Sequence, residues 1–267
     1  MAVPGSKPIL FLAILFVAAT CLAWYFSWFG RELSDTDISK YLADEKNPRH
    51  VQHALLQIQQ RIERGDTSTK NWYPQLVTLS GSPETEFRLT VAWLMGFDNK
   101  SQEFHDALLK LLRDPEPIVR RNAALALVRF DDSSGREELL SMLKPFVLKA
   151  PANGVLVSSM HEGSTIARRT PLARIQLPDG RVVELRSPLP GRVNKMLKPI
   201  GSQVSLDEDL LSLYSDEESV WEALRALAIV GTKDDLPLVQ SYTETGSGRI
   251  KEQADLTAKA INLRLNG

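Results

Sequence analysis

The sequence predicts a multidomain protein of mixed α and β class, in which a stack of paired helices follows an N-terminal transmembrane helix and carries a small inserted all-β unit. Three observations predict this organisation. The first is an uncharged run of 23 residues over 8–30. The second is a helix-pair pattern that recurs 32 positions apart, and the third is a Pro-x-x-Gly motif that occurs twice, 37 positions apart.

The uncharged run over 8–30 is long enough to cross a bilayer core of about 30 Å at about 1.5 Å per residue. Trp24 and Trp28 lie near its far end, where aromatic rings favour the headgroup region, and Lys7 precedes it. We therefore expect a single-pass membrane protein whose remaining chain lies on the outer, periplasmic side of a bacterial inner membrane. A cleaved signal peptide is the rival interpretation, because such peptides also open with a basic residue and an apolar run.

Composition and charge exclude several classes of function. The chain has 267 residues, 43% of them hydrophobic and 24% charged, which is enough apolar material for a sizeable core. A formal net charge of -1 leaves no overall positive field to hold phosphates, so no nucleic acid partner is predicted. The single cysteine, Cys21, excludes an intrachain disulfide and a zinc site made of cysteines.

Helix pairs are predicted before the doubled motif. The segment ALLKLLRDPEPIVRRNAALALVRFDD over 107–132 divides into an apolar-periodic helix, a turn with two prolines and a second, alanine-rich helix. The pattern also occurs 32 positions upstream, where Pro83 matches Pro115 and Arg88 matches Arg120. The sequence DPEPIVRRNAALAL resembles HEAT repeats, and this resemblance implies an armadillo-like α-solenoid that binds other proteins.

The helix pairs resume after the doubled motif. GREELLSML over 135–143 is a first helix whose partner is missing until SVWEALRALAIVG begins at Ser219, and Ala223 falls 100 positions after Ala123. The intervening segment is therefore predicted to be inserted between the two helices of one pair. The predicted domains are an anchor over 1–30, HEAT-like repeats over 31–146, a β unit over 147–215 and resumed repeats over 216–267.

The inserted segment is predicted to form short strands. Its sequence consists of β-branched and apolar runs that are separated by Pro and Gly. Two halves align at equivalent prolines, glycines and apolar positions: Pro151 with Pro188, Gly154 with Gly191, Gly163 with Gly201 and Ile175 with Leu213. We expect a small barrel or sandwich of two similar halves, joined by a hairpin at LPDGRV because Asp-Gly favours a tight turn.

The two halves, APANGVLV…EGSTIARRTPLARI and SPLPGRVNKMLKPIGSQVSLDEDLLSL, resemble the biotinyl/lipoyl-like domain, the barrel-sandwich hybrid of periplasmic adaptor (membrane-fusion) proteins. Carrier members of that family present a modified lysine at the tip of the central hairpin. The tip here, PDGR over 178–181, contains no lysine. The resemblance therefore implies a structural or docking module, and no cofactor is predicted.

No catalytic site is predicted. The sequence has no glycine-rich phosphate loop, nucleophile elbow or His-Glu-x-x-His motif. His50 and His53 are close enough on one helix face to bind a metal, but the sequence places no third ligand beside them, and ordinary polar surface is the favoured interpretation. The chain is therefore predicted not to be an enzyme and to have no catalytic, cofactor-binding or metal-binding residues.

Three arginines are candidates for protein binding. Arg88, Arg120 and Arg121 lie near the starts of second helices, where they would form a basic ladder along one face of the stack. The alternative, which the sequence favours, is that each arginine bonds to the carbonyls and acids of the preceding turn.

The two resemblances together imply a membrane-anchored, non-enzymatic scaffold or adaptor. It would bind proteins of a membrane complex through the HEAT repeats and the unmodified lipoyl-like unit, contact the membrane over 8–30 and have no small-molecule substrate. Three alternatives stay open: an adaptor subunit of an envelope transport or efflux complex, a biotin or lipoyl carrier subunit, and a hydrolase or peptidase.

Overall fold

The computed structural model describes the backbone over residues 6–28 and 32–266 and the side chains over 10–22 and 32–264. The described residues form eleven α-helices, two short 3₁₀ helices and eight strands. The chain divides into two compact units, Met1–Gln75 and Leu76–Gly267. The fold class is therefore mixed α and β, as the sequence predicts, apart from the first helix.

The first unit is helical. Its elements are α1 Ser6–Trp28, α2 Asp35–Leu42, α3 Pro48–Glu63 and a 3₁₀ helix Thr67–Trp72. Ser34 caps α2, because its side chain accepts a hydrogen bond from the backbone N–H of Asp37. Apolar side chains of α2 and α3 are buried together with the ring of Trp72, whose Nε1 donates to Ser39 Oγ over 2.9 Å.

The structure contradicts the predicted transmembrane helix over 8–30. Within the described part of the chain, no helix has both the length and the apolar character that a membrane crossing requires. The predicted single-pass membrane location is therefore wrong as well. Residues 1–5 and 29–30 of the predicted anchor lie outside the described residues.

The second unit contains a stack of helix pairs. In chain order, consecutive helices form the pairs α4 Tyr73–Leu79 with α5 Thr85–Met95, α6 Gln102–Leu111 with α7 Pro117–Val128, α8 Arg136–Met142 with α9 Glu217–Val230, and α10 Leu236–Thr245 with α11 Gly248–Asn266. The division between the two units falls within α4. The second helices pack in series, α5 on α7, α7 on α9 and α9 on α11. A second 3₁₀ helix, Lys233–Asp235, precedes α10.

Equivalent positions of the pairs face the same core. Phe87 and Val119, 32 positions apart, are both fully buried, as are Ala92 and Ala124. Small side chains at the alanine positions let neighbouring second helices approach closely, while the larger ones fill the space between them. This repetition confirms the helical repeats that the sequence predicts before the doubled motif.

A β unit stands between the two helices of the third pair. Its strands are β1 Phe146–Lys149, β2 Gly154–Ser159, β3 Thr165–Ile166, β4 Pro171–Gln176, β5 Val182–Arg186, β6 Gly191–Met196, β7 Gln203–Val204 and β8 Asp209–Ser215. They form two antiparallel sheets in the orders β1-β8-β6-β3 and β5-β4-β2-β7. The two sheets enclose one apolar core, which includes Leu156, Ile175, Val193 and Leu213.

The two halves of the β unit are equivalent in topology. Exchanging β1–β4 with β5–β8 converts the strand order of one sheet into that of the other. Hydrogen bonds follow the same exchange: Gly163 N donates to Val193 O over 2.8 Å, and Gly201 N donates to Leu156 O over 2.7 Å. The doubled sequence motif therefore reflects a doubled fold.

Candidate functional site

The turns between the helices of the first two pairs line one open groove, which we call the turn groove. It has a volume of about 720 Å³ and lies between the turn that follows α4 and the turn that follows α6. Val77, Ala107 and Leu111 provide apolar lining. Its charged lining residues are Arg88, Lys110, Arg113, Asp114 and Glu116.

Arg88 closes the first of these turns. Its Nη1 donates to the carbonyls of Ser82 and Pro83 over 2.9 and 3.0 Å. Its Nε and Nη2 donate to the two oxygens of Asp114 over 2.6 and 3.0 Å, a bidentate pair. The side chains of Arg88 and Asp114 are only 11% and 4% exposed. Chiefly because of the hydrogen bond to Asp114, the pKa of the Arg88 guanidinium is raised.

Arg120 closes the second turn with the same geometry. Its Nη1 donates to the carbonyls of Asp114 and Pro115 over 2.8 and 3.2 Å, and its Nε donates to Glu138 over 3.0 Å. Arg88 and Arg120 therefore bond to turn carbonyls and acids, which is the role that the sequence favours for them. Whether Arg88 or Arg120 also contacts a partner stays a prediction.

Arg121 differs from its neighbour because it points into the stack. Its side chain is 3% exposed, none of its three guanidinium nitrogens has a hydrogen-bond partner among the described residues, and its Nε lies 4.0 Å from Glu138. Burial lowers the pKa of Arg121 to about 10, although Glu138 and Asp216 act in the opposite direction. In this conformation Arg121 is not accessible to a partner.

We expect Arg121→Leu to stabilise the protein by roughly 1–2 kcal/mol, because the variant no longer buries a charged group without hydrogen bonds. The equivalent positions 32 before and 100 after are Leu89 and Trp221. Chemical denaturation of the full chain measures the effect, with Arg120→Leu as the matched control that should destabilise. A lower denaturation midpoint for Arg121→Leu than for the wild type would contradict this account.

The β unit is held on the repeats by a loop over 167–170, which we call the docking loop. Arg168 Nη2 contacts Glu86 Oε1 at the start of α5, and Arg169 Nη2 lies 2.8 Å from the same oxygen. At its root, the unit is joined through the chain to α8 before β1 and to α9 after β8. The inserted unit is thus attached both at its root and at its docking loop.

The second half of the β unit contains a loop equivalent to the docking loop. Asp207 takes the place of Arg169: both have left-handed backbone, with φ of 64° and 67°. Asp207 N donates to Ala150 O over 2.9 Å, as Arg169 N donates to Ser187 O over 2.7 Å. Beside Asp207, the side chain of Leu206 is 57% exposed. The second loop is therefore an open counterpart of the first.

The central hairpin joins β4 to β5 at the predicted place. Leu177 N donates to Arg181 O over 2.8 Å, and Gly180 has a φ of 86°, a conformation that glycine adopts without steric cost. The side chain of Arg181 donates to Asp179 over 2.7 Å. The hairpin tip carries no amine to which a carboxylic acid cofactor could be attached.

The histidines have local partners. His50 Nδ1 lies 2.8 Å from Asp44 and its ring stacks on Tyr41, while His53 contacts Gln57. No cluster of three or more metal-ligating side chains occurs over the residues that the structure describes.

Sequence reasoning did not single out Glu86, Lys110 or Arg113. Glu86 and its partner Arg168 are 82 positions apart, so no local pattern connects them. Lys110 and Arg113 carried a weak signal, because two cations three positions apart precede the two prolines of the turn.

Comparison with known proteins identifies part of the chain. HEAT repeats match residues 73–155, which extend from α4 through α8 into the start of the β unit. The chain therefore contains a HEAT-repeat region, and such repeats generally act as protein-interaction modules. No curated protein sequence matches the chain.

Two solved structures show limited likeness. A single-chain, multi-domain long-chain acyl-CoA carboxylase is 15% identical over 43% of this chain and 13% of its own, with a TM-score of 0.26. An engineered protein is 14% identical over 85% of this chain and 78% of its own, with a TM-score of 0.45. At these TM-scores neither likeness assigns a fold or a function to this chain.

Proposed function

We propose that the chain is a non-enzymatic scaffold that binds other proteins through its HEAT repeats and presents the β unit as a second, rigid contact. The observation that carries this proposal is the HEAT match over 73–155, on helices that pack in series from α5 to α11. Because each repeat contacts its neighbours, such a stack presents a continuous surface to a partner.

The attachment of the β unit supports the second part of the proposal. Glu86 pairs with two arginines of the docking loop, and the root of the unit is joined through the chain to α8 and α9. Two points of attachment limit the rotation of an inserted unit about its root. A partner that contacted both the repeats and the β unit would therefore meet two surfaces at a fixed separation, which lowers the entropic cost of binding.

We further propose that the β unit is an unmodified relative of the biotinyl/lipoyl-like domains, with the domain boundaries 31–146, 147–215 and 216–267. The exchange of its two halves and the hairpin between β4 and β5 support this. The predicted adaptor role in an envelope transport complex rested on the barrel-sandwich resemblance, and it is not carried over.

The absence of a lysine at the hairpin tip leads to a direct prediction. We expect peptides from the β unit, prepared from the protein of its native cell, to have the masses calculated from their sequence. Lys149, Lys195 and Lys198 lie in β1, in β6 and in a turn, so none is at the tip. Peptide mass spectrometry measures this, and an added biotinyl or lipoyl group on any of these lysines would make the chain a carrier rather than a scaffold.

Purification from native cells tests the scaffold function itself. The tagged full chain should recover one defined protein at a fixed ratio, and tagging that protein should in turn recover the chain. Arg88 of α5 and Glu116, which caps α7, line the turn groove, so the partner should also protect amides of α5 and α7 from hydrogen exchange. A chain that purifies alone and shows no protection in any extract would overturn the proposal.

A further inference from the structure

We propose that the turn groove binds an acidic segment of a partner protein, with Lys110 and Arg113 pairing with its carboxylates. This inference rests on the proposed scaffold function and names the site and the chemistry of the partner. The groove combines a concave apolar lining with two exposed cations that form no ion pair with a described side chain.

The shape of the groove suits protein side chains. Its volume of about 720 Å³ is within the range of about 300–1,000 Å³ that is typical of ligand sites. Val77, Ala107 and Leu111 line it together with two prolines, Pro83 and Pro115, so apolar side chains of a bound segment would lose contact with water there. The prolines and the closed turns keep this lining rigid, which limits the cost of ordering it on binding.

The charged lining residues of the groove carry three positive and two negative charges, so its net charge is +1. Asp114 is bound bidentately by Arg88 and is buried, so it offers no oxygen to a further cation. Glu116, the second carboxylate of the groove, forms no ion pair with Lys110 or Arg113. Lys110 and Arg113 are exposed, and neither forms an ion pair with a described side chain.

The spacing of the two cations fits a peptide. Lys110 lies in the last turn of α6 and Arg113 lies in the turn that follows, where the backbone N–H of Arg113 donates to the carbonyl of Lys110 over 3.0 Å. Two adjacent carboxylates of an acidic segment would reach both cations. A nucleic acid is a poorer fit, because two cations on a chain with a net charge of -1 neutralise too few phosphates.

A simpler role for Lys110 and Arg113 is to offset the negative end of the α6 dipole. This role and the proposed one differ in what they predict. A cation that only offsets the dipole changes the stability of the helix and leaves the affinity for a peptide unchanged. Charge reversal that lowers peptide affinity in a folded protein therefore identifies a binding role.

The test measures the fluorescence anisotropy of a labelled peptide in which Glu and Leu alternate, titrated with the full chain. We expect this peptide to bind more tightly than the matched peptides with Gln or Lys in place of Glu. The double variant Lys110→Glu/Arg113→Glu should weaken binding by about tenfold or more, because two favourable charge pairs become repulsive. The control variant Lys195→Glu/Lys251→Glu, at exposed positions outside the groove, should bind as the wild type does.

Two outcomes would overturn the inference: equal binding of the Glu and Gln peptides, or equal loss of affinity in the groove variant and the control variant. Circular dichroism checks that the variants are folded, and Lys110→Gln/Arg113→Gln provides a milder change if charge reversal unfolds the chain. Failure here with a protein partner still recovered from cells would refute the site and leave the scaffold function. Peptide binding without any cellular partner would leave the site and refute the scaffold function.

Discussion

Gly191→Ala should destabilise the β unit by about 3 kcal/mol or more, the largest effect that we expect from a single methyl group in this protein. The added Cβ would overlap the carbonyl oxygen of Tyr214 on β8. Backbone atoms of a paired strand cannot move aside as a flexible side chain can, so the pairing of β6 with β8 must distort. Thermal unfolding, combined with hydrogen exchange of the strand amides, measures the loss.

The equivalence of the two halves makes this prediction sharper. Gly154 stands in the same place in the first half, and its added Cβ would overlap the carbonyl oxygen of Gln176. Gly154→Ala and Gly191→Ala should therefore have similar costs. Gly248→Ala is the matched control, because no atom lies within 4 Å of the added carbon there. If the two strand glycines tolerated alanine as well as Gly248 does, the close strand contacts described here would be wrong.

Asp114→Ala should lower the free energy of unfolding by about 3 kcal/mol, since it leaves the guanidinium of Arg88 largely buried without its partner. The same change removes the acceptor that Asp114 Oδ1 provides for the backbone N–H of Glu116 at the turn, over 2.9 Å. Both losses affect the turn before α7, where the repeats are joined. Urea denaturation at neutral pH measures the effect.

A comparison of variants separates the charge from the turn. Asp255→Ala removes the partner of an exposed cation, Lys259, and should cost less than about 1 kcal/mol. Arg88→Ala combined with Asp114→Ala should cost less than the sum of the single changes, because the double variant buries no unpaired charge. If the single changes add without any such coupling, the bidentate pair does not stabilise the fold as described.

Much of the fold could be predicted because it depends on repetition. Proline and alanine positions 32 apart in sequence indicated the helix pairs, and two Pro-x-x-Gly motifs indicated the two halves of the β unit. Such patterns repeat because each unit must bury the same face against its neighbour. The spacing of Pro115 and Arg120 also indicated which turn the arginine closes.

The other features of the fold and the site depend on contacts between residues that no sequence pattern connects. Arg120 and Arg121 are adjacent in α7, yet the side chain of Arg120 contacts a turn whereas that of Arg121 lies in the core, because successive side chains point in different directions around a helix. The contact between Glu86 and the docking loop forms only when the inserted unit folds back on the repeats. The length of the uncharged run also gave the wrong result for the first helix, since no helix in the described part of the chain has the length and apolar character of a membrane span.

Site-specific photo-crosslinking of the full chain in its native cell is the most direct test of the central claim that the turn groove is a protein-binding surface. A crosslinking residue at position 113 should give a covalent adduct with one defined protein, and Lys110→Glu in the same chain should abolish it. The same residue at position 251, outside the groove, should give no such adduct. An adduct that forms at position 251 but not at 113, or one that persists unchanged with Lys110→Glu, would contradict the account.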